Sequence, residues 1–126
     1  MKEFEKWFRK AESDLLGIRN NLASTNIPAD VCCFHAQQAV EKYLKAYLVS
    51  KNISFPKIHD LNRLCDLCAN ANPVFSELLP LIDGLTIFSV TPRYPDMIDD
   101  LTVEDAQQAY QNAIVVKEFI LKHFFE

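Results

Sequence analysis

Glycine is scarce in this chain: Gly17 and Gly84 are the only two among 126 residues. An all-β fold depends on tight turns, and tight turns lean on glycine, so that class is set aside. A basic excess is missing too. Lys and Arg number 13 against 17 Asp and Glu, for a net charge of −4. No global positive field gathers nucleic acid, so a strong direct contact with it is not expected outside a local patch or a dimer groove. No apolar run approaches the roughly 20 residues that span a bilayer, so no membrane partner is expected. The opening MKEFEKWFRK alternates charges and has no apolar stretch of the secretion-signal kind. The expectation is a cytoplasmic protein.

What the chain does have is apolar mass. Hydrophobic residues make up 49% of it, which argues against disorder. A chain of this length buries roughly two-thirds of its unfolded surface in one core, so residues 1–126 read as a single domain. Nine Phe, four Tyr and one Trp are many aromatics for a small fold to hide, and they favour a homodimer. Four cysteines stand at Cys32, Cys33, Cys65 and Cys68. The CDLC spacing suggests zinc. Against that, adjacent cysteines on a helix diverge by about 100°, and both pairs lie in apolar helical patterns, so core thiols are the preferred reading. No cofactor or metal is expected.

Periodicity divides the chain into helices. From about Lys2 to Ser24, Phe4, Phe8, Leu15, Ile18 and Leu22, with Trp7 and Ala11, recur at steps of three and four, with Glu3, Lys6, Lys10, Asp14 and Arg19 around the rest. After STNIP, Pro28 opens a second helix with Asp30 behind it, extending to about Lys51. That helix is apolar on more than one side, which predicts a central position. Pro56 interrupts, Asp60 caps the short helix LNRLCDLCANA, and a fourth helix is expected from about Val74 to Ser89. Pro80 and Gly84 inside it predict a kink or break. TPRYPDMIDDL reads as a loop, and Thr102 caps a last helix reaching about Phe124, with Glu104 and Asp105 at its positive end. The fold class is all-α: an up-and-down bundle of four main helices plus a short extra helix.

The segments FHAQQAVEKYLKAYL, HDL and RYPD, in that order before a closing helix, resemble the HEPN domain family over nearly the whole chain. The resemblance implies a helical bundle that commonly dimerises. It further implies a minimal nucleotidyltransferase as partner in a two-component system of toxin–antitoxin type, and a possible nucleotide ligand. Some HEPN proteins are ribonucleases that carry an Arg followed five to seven residues on by a His. No Arg of this chain has one: Arg9 meets Asp14, Leu15 and Leu16; Arg19 meets Ser24, Thr25 and Asn26; Arg63 meets Cys68, Ala69 and Asn70; Arg93 meets Ile98, Asp99 and Asp100. Metal-independent RNA cleavage needs a proton shuttle and a fixed cation together. The pattern therefore leans away from an enzyme and leaves the catalytic set empty.

The ligand-binding candidates are Gln38, Lys42, Lys45, His59, Arg93 and Tyr94. Glu41 and Lys45 are spaced for an i,i+4 pair, as are Gln38 and Lys42. They form either a solvated strip or a groove in which Lys42 and Lys45 receive an anion. His35 reads as a hydrogen-bonded histidine and His59 as a brace at a loop–helix junction. Arg93 and Tyr94 stand in a proline-braced loop suited to contacts, and the DMIDD aspartates read as solvent-facing. The reading is a non-catalytic dimeric module that pairs with a nucleotidyltransferase. The alternatives are a degenerate ribonuclease using His59 or His35 with Arg93, and a purely structural bundle.

Overall fold

Phe4, Phe8, Ala11, Leu15, Ile18 and Leu22 form the inner face of helix α1, Glu3–Leu22. The structure is a computed structural model that describes residues 2–90 and 101–126, the side chains of 87–90 excepted. Helix α2, Ala29–Ser50, follows a short turn. It packs on α1 and on three later helical segments, and its buried residues lie on several sides, from Cys32 and Cys33 to Tyr47 and Leu48. α2 is the central helix, because only a helix with neighbours all round can hide so much apolar surface.

Asn52 ends α2. Its φ of 57° is the left-handed turn, which Asn tolerates better than most residues. The Asn52 N–H donates to Val49 O at 3.0 Å and the Ile53 N–H to Leu48 O at 2.9 Å, so two terminal carbonyls are satisfied in a Schellman motif. Helix α3, Leu61–Ala71, starts at Asp60, whose side chain accepts from the Arg63 N–H at 3.2 Å.

The expected fourth helix is two pieces. A 3₁₀ helix, Pro73–Leu78, leads into helix α4, Leu79–Val90. The break falls just before Pro80, not within the following turns. Proline gives no N–H and crowds the carbonyl four residues back, so α-helical geometry gives way upstream, while in the first turn of α4 it costs little. Gly84 sits inside α4 without ending it. Helix α5, Val103–His123, opens on a capping box: the Asp105 N–H donates to Thr102 Oγ1 at 3.1 Å, and the Thr102 N–H donates to Asp105 Oδ2 at 2.9 Å.

Contacts between the elements give the directions. Phe8 meets Tyr43, and Asp14 meets His35, so α1 and α2 are antiparallel. Tyr47 meets Phe75, whereas Gln37 meets Leu85, so α4 runs back along α2. Lys117 reaches Glu12, and Tyr110 reaches Arg19, so α5 opposes α1. The main helices α1, α2, α4 and α5 alternate up and down, with α3 as the short extra one. No strand occurs among the described residues. One core runs through all of them and includes the four thiols. The Cys65 thiol donates to Phe75 O and the Cys68 thiol to Leu44 O. Burial pushes Cys65 up to about 11 and Cys68 higher still, which marks both as inert packing groups. Among the described residues, no group of three His, Cys, Asp or Glu side chains could hold a metal ion, and no helix is long and apolar enough to cross a membrane.

Candidate functional site

One edge of α2 carries Phe34, His35, Gln38, Glu41, Lys42 and Lys45, the segment the sequence singles out. Spacings of three, four and seven residues place them along one side of the helix. Its N-terminal half is open, with Phe34 the most exposed aromatic there and edge-on to the His35 ring. Its C-terminal half is covered, and along the edge the polar groups gather into two stations built on the same plan.

In the first station Asp14 of α1 stands between two groups of α2. Lys42 Nζ donates to Asp14 Oδ2 at 2.6 Å, and His35 Nδ1 lies 2.8 Å from Asp14 Oδ1. In the second, Lys45 Nζ donates to Glu41 Oε2 at 3.0 Å, and His59 Nδ1 lies 3.0 Å from Glu41 Oε1. An ionised carboxylate only accepts, so each imidazole carries its proton on Nδ1 and leaves Nε2 for other contacts. The two carboxylates are deeply buried, whereas the His59 side chain is 81% exposed. Each station is thus a buried carboxylate held between an ammonium and an imidazole.

Glu41 and Lys45 depart from the solvated strip that their spacing suggests. They are only 4% and 6% exposed. Trp7 of α1 and Phe55 of the α2–α3 connection close over the Lys45 ammonium, with ring centroids 5.4 and 5.8 Å away. A desolvated ammonium on aromatic faces gains about 2 kcal/mol from the ring quadrupoles, which offsets part of its burial. Lys10 approaches the same Trp7 ring at 5.8 Å. His59 braces its junction through a side-chain carboxylate rather than through the backbone.

A third polar group lies on the other flank of α1. Tyr43 donates to Glu12 Oε2, and Lys117 Nζ donates to Glu12 Oε1 at 2.7 Å. Burial pushes the Glu12 carboxyl up, but the hydrogen bonds from Lys117 and Tyr43, with the charges of Lys117 and Arg19, outweigh it and hold the group below its ordinary value. Burial, and then the Glu12 carboxylate, push the Tyr43 hydroxyl far up, so it stays protonated and donates to Glu12.

The structure therefore brings Lys42, Lys45 and His59 to one side of α2, with Gln38 half-buried one turn before Lys42, and pairs both lysines with carboxylates. Arg93 and Tyr94 lie outside the described residues. Sequence reading missed Asp14, taken there as a surface charge, and Trp7, taken as part of an apolar stripe. The available signal was position: Asp14 sits beside Leu15 and between Ala11 and Ile18, at the edge of the buried stripe.

Comparisons with known proteins agree with this architecture. A solved structure described as that of ST0689, an archaeal HEPN homologue, superposes with a TM-score of 0.70 at 25% identity, covering 98% of this chain and 99% of the other. A Methanocaldococcus jannaschii protein named "Putative toxin MJ1304" is 28% identical over 134 residues, spanning 95% of this chain and 86% of that protein. The family model described as HEPN domain matches residues 4–123, end to end across the bundle. This chain belongs to the HEPN domain family.

Proposed function

We propose that this protein is a non-catalytic HEPN module that acts by assembly: a homodimer that pairs with a minimal nucleotidyltransferase in a system of toxin–antitoxin type. Family membership and the toxin-named relative support the setting. The observation that carries the non-catalytic reading is the state of the cations on α2. Lys42 and Lys45 are held by Asp14 and Glu41, and no Arg of the chain precedes a His at the ribonuclease spacing. A lysine already bound to a buried carboxylate has little left to offer a phosphate, so a nucleotide contact through these two is the weaker part of the family expectation. Co-expression with the nucleotidyltransferase encoded nearby tests the pairing: a complex that co-elutes on size exclusion supports it, and separate elution removes it.

One observation favours a second reading, a degenerate ribonuclease. His59 is anchored through Nδ1 and presents Nε2 to solvent, as a proton shuttle would. Purified protein incubated with RNA, beside Arg93→Ala and His59→Ala, separates the two. Cleavage lost in either variant supports the enzyme, and no cleavage by the wild type supports the assembly module.

A further inference from the structure

Each of the three histidines turns Nδ1 to a carboxylate, and the three rings differ in how open they are. The His123 side chain is 13% exposed, stands against the Phe119 ring, and meets the exposed carboxylate of Glu126. His35 is 35% exposed and shares Asp14 with Lys42. His59 is 81% exposed, yet its Nδ1 lies 3.0 and 3.1 Å from the two oxygens of the buried Glu41. It alone joins a widely open ring to a deeply buried carboxylate.

That arrangement prepares a nucleophile. Lys45 Nζ holds Glu41 Oε2 at 3.0 Å, and the Trp7 and Phe55 rings close over Lys45, so the carboxylate is fixed in place. The hydrogen bond made by one imidazole nitrogen decides which nitrogen carries the proton. With the proton on Nδ1, the Nε2 lone pair is turned to solvent. A carboxylate behind the ring also raises its basicity, and it offsets the positive charge the ring gains when Nε2 forms a bond. Lys57 and Arg63, two residues before His59 and four after, are exposed and make no ion pair among the described residues. Asp60, the acidic residue between them, is engaged at the α3 cap. The surroundings therefore suit a group that arrives with negative charge. A lone nucleophile of this kind serves donors whose leaving group needs no proton from the protein.

We propose that His59 Nε2 is a phosphoryl-acceptor site, modified by small donors that carry the phosphoryl group on such a leaving group, phosphoramidate being the simplest. The Nε2 lone pair forms the new N–P bond as the P–N bond of the donor breaks. Ammonia departs with that bond's electron pair and with the three hydrogens that the zwitterionic donor already holds. The ring keeps its Nδ1 proton against Glu41 and becomes an imidazolium bearing a phosphoryl dianion, so atoms and charge balance. Glu41 is the positioning residue, and Nε2 is the reacting atom. The site needs no partner protein, so it stands apart from the proposed pairing. It also differs from a proton shuttle, because Nε2 keeps the group it attacks.

The test incubates the purified full chain with potassium phosphoramidate at neutral pH, beside His59→Ala, Glu41→Gln, Glu41→Leu/Lys45→Met and free N-acetylhistidine. Mass spectrometry counts and maps the phosphoryl groups, and phosphorus NMR tells an Nε2 adduct from an Nδ1 adduct. Expected in the wild type is one phosphoryl group on His59, at Nε2 alone, gained at least about tenfold faster than by N-acetylhistidine. His59→Ala should gain none at that rate. Glu41→Leu/Lys45→Met keeps the exposed ring and removes the carboxylate, so it should fall to the rate of N-acetylhistidine and give adducts at both nitrogens. Glu41→Gln keeps the side-chain shape without its charge and should slow the reaction in the same direction, which covers the case of a double variant that does not fold. Labelling of His59 no faster than N-acetylhistidine, equal labelling of His35 or His123, or an unchanged rate and nitrogen preference in the Glu41 variants would overturn the site and leave His59 as a brace. Cleavage of RNA by a wild type that gains no phosphoryl group would overturn it in favour of the proton shuttle.

Discussion

Burying an ammonium is costly unless something replaces its water, and Lys45 has a carboxylate and two aromatic faces in place of it. The balance is testable by substitution. Glu41→Ala leaves Lys45 desolvated and unpaired and should lower unfolding free energy by about 3–5 kcal/mol, measured by urea denaturation. Glu41→Leu with Lys45→Met replaces the pair with apolar groups of similar size and should recover most of that loss. Glu12 gives a pH signature. Its folded value lies below the ordinary 4.5, so its contribution is present above that pH and is lost as pH falls through the folded value. Wild type should be more stable than Glu12→Gln at neutral pH, with the gap closing as acid titrations pass below the ordinary value of 4.5. The thiols make a third case: all four are buried, so a colorimetric disulfide reagent should titrate none in the native protein and four after unfolding.

At the level of elements, local chemistry decides where helices start and stop. Thr102→Ala removes half of the capping box of α5 and should cost about 1 kcal/mol. Asn52→Val forces a β-branched residue into a left-handed turn and should cost about 1–2 kcal/mol, while Asn52→Gly should be neutral or slightly stabilising; thermal melts of the pair separate backbone strain from lost side-chain contacts. These are also the features a sequence shows best. The periodicity of α1, α2 and α5 and the caps at Asp60 and Thr102 were legible, because each depends on residues close together in the chain. Division of the fourth helix was foreseen at Pro80 or Gly84, but the 3₁₀ geometry of Pro73–Leu78 was not, since a short apolar run looks alike in both helix types. The polar stations were half legible. Glu41 and Lys45 pair within one helix, as their spacing requires, but Asp14, Trp7 and Phe55 come from other segments, and only the packing of α1 against α2 brings them together.

For the molecule as a whole, α2 stands at the centre of an alternating bundle and is held by its neighbours on most sides. Each polar station ties α2 to a different segment: Asp14 joins it to α1, and His59 joins it to the approach to α3. The exposed Leu16, Phe34, Val115, Leu121 and Phe125 remain on the outside. Burying some of these between two copies would suit the proposed homodimer, and light scattering during size exclusion should then give twice the mass of the 14.5 kDa chain.

Trp7 gives the closure over Lys45 a practical use. It is the sole tryptophan of the chain, and its indole lies on the α1–α2 boundary beside a fixed positive charge. Intrinsic emission at tryptophan wavelengths therefore reports on that one boundary and on no other part of the bundle. If α1 peels away before the remaining helices melt, the emission change will precede the loss of circular dichroism, and the protein will have announced its own order of unfolding without a label.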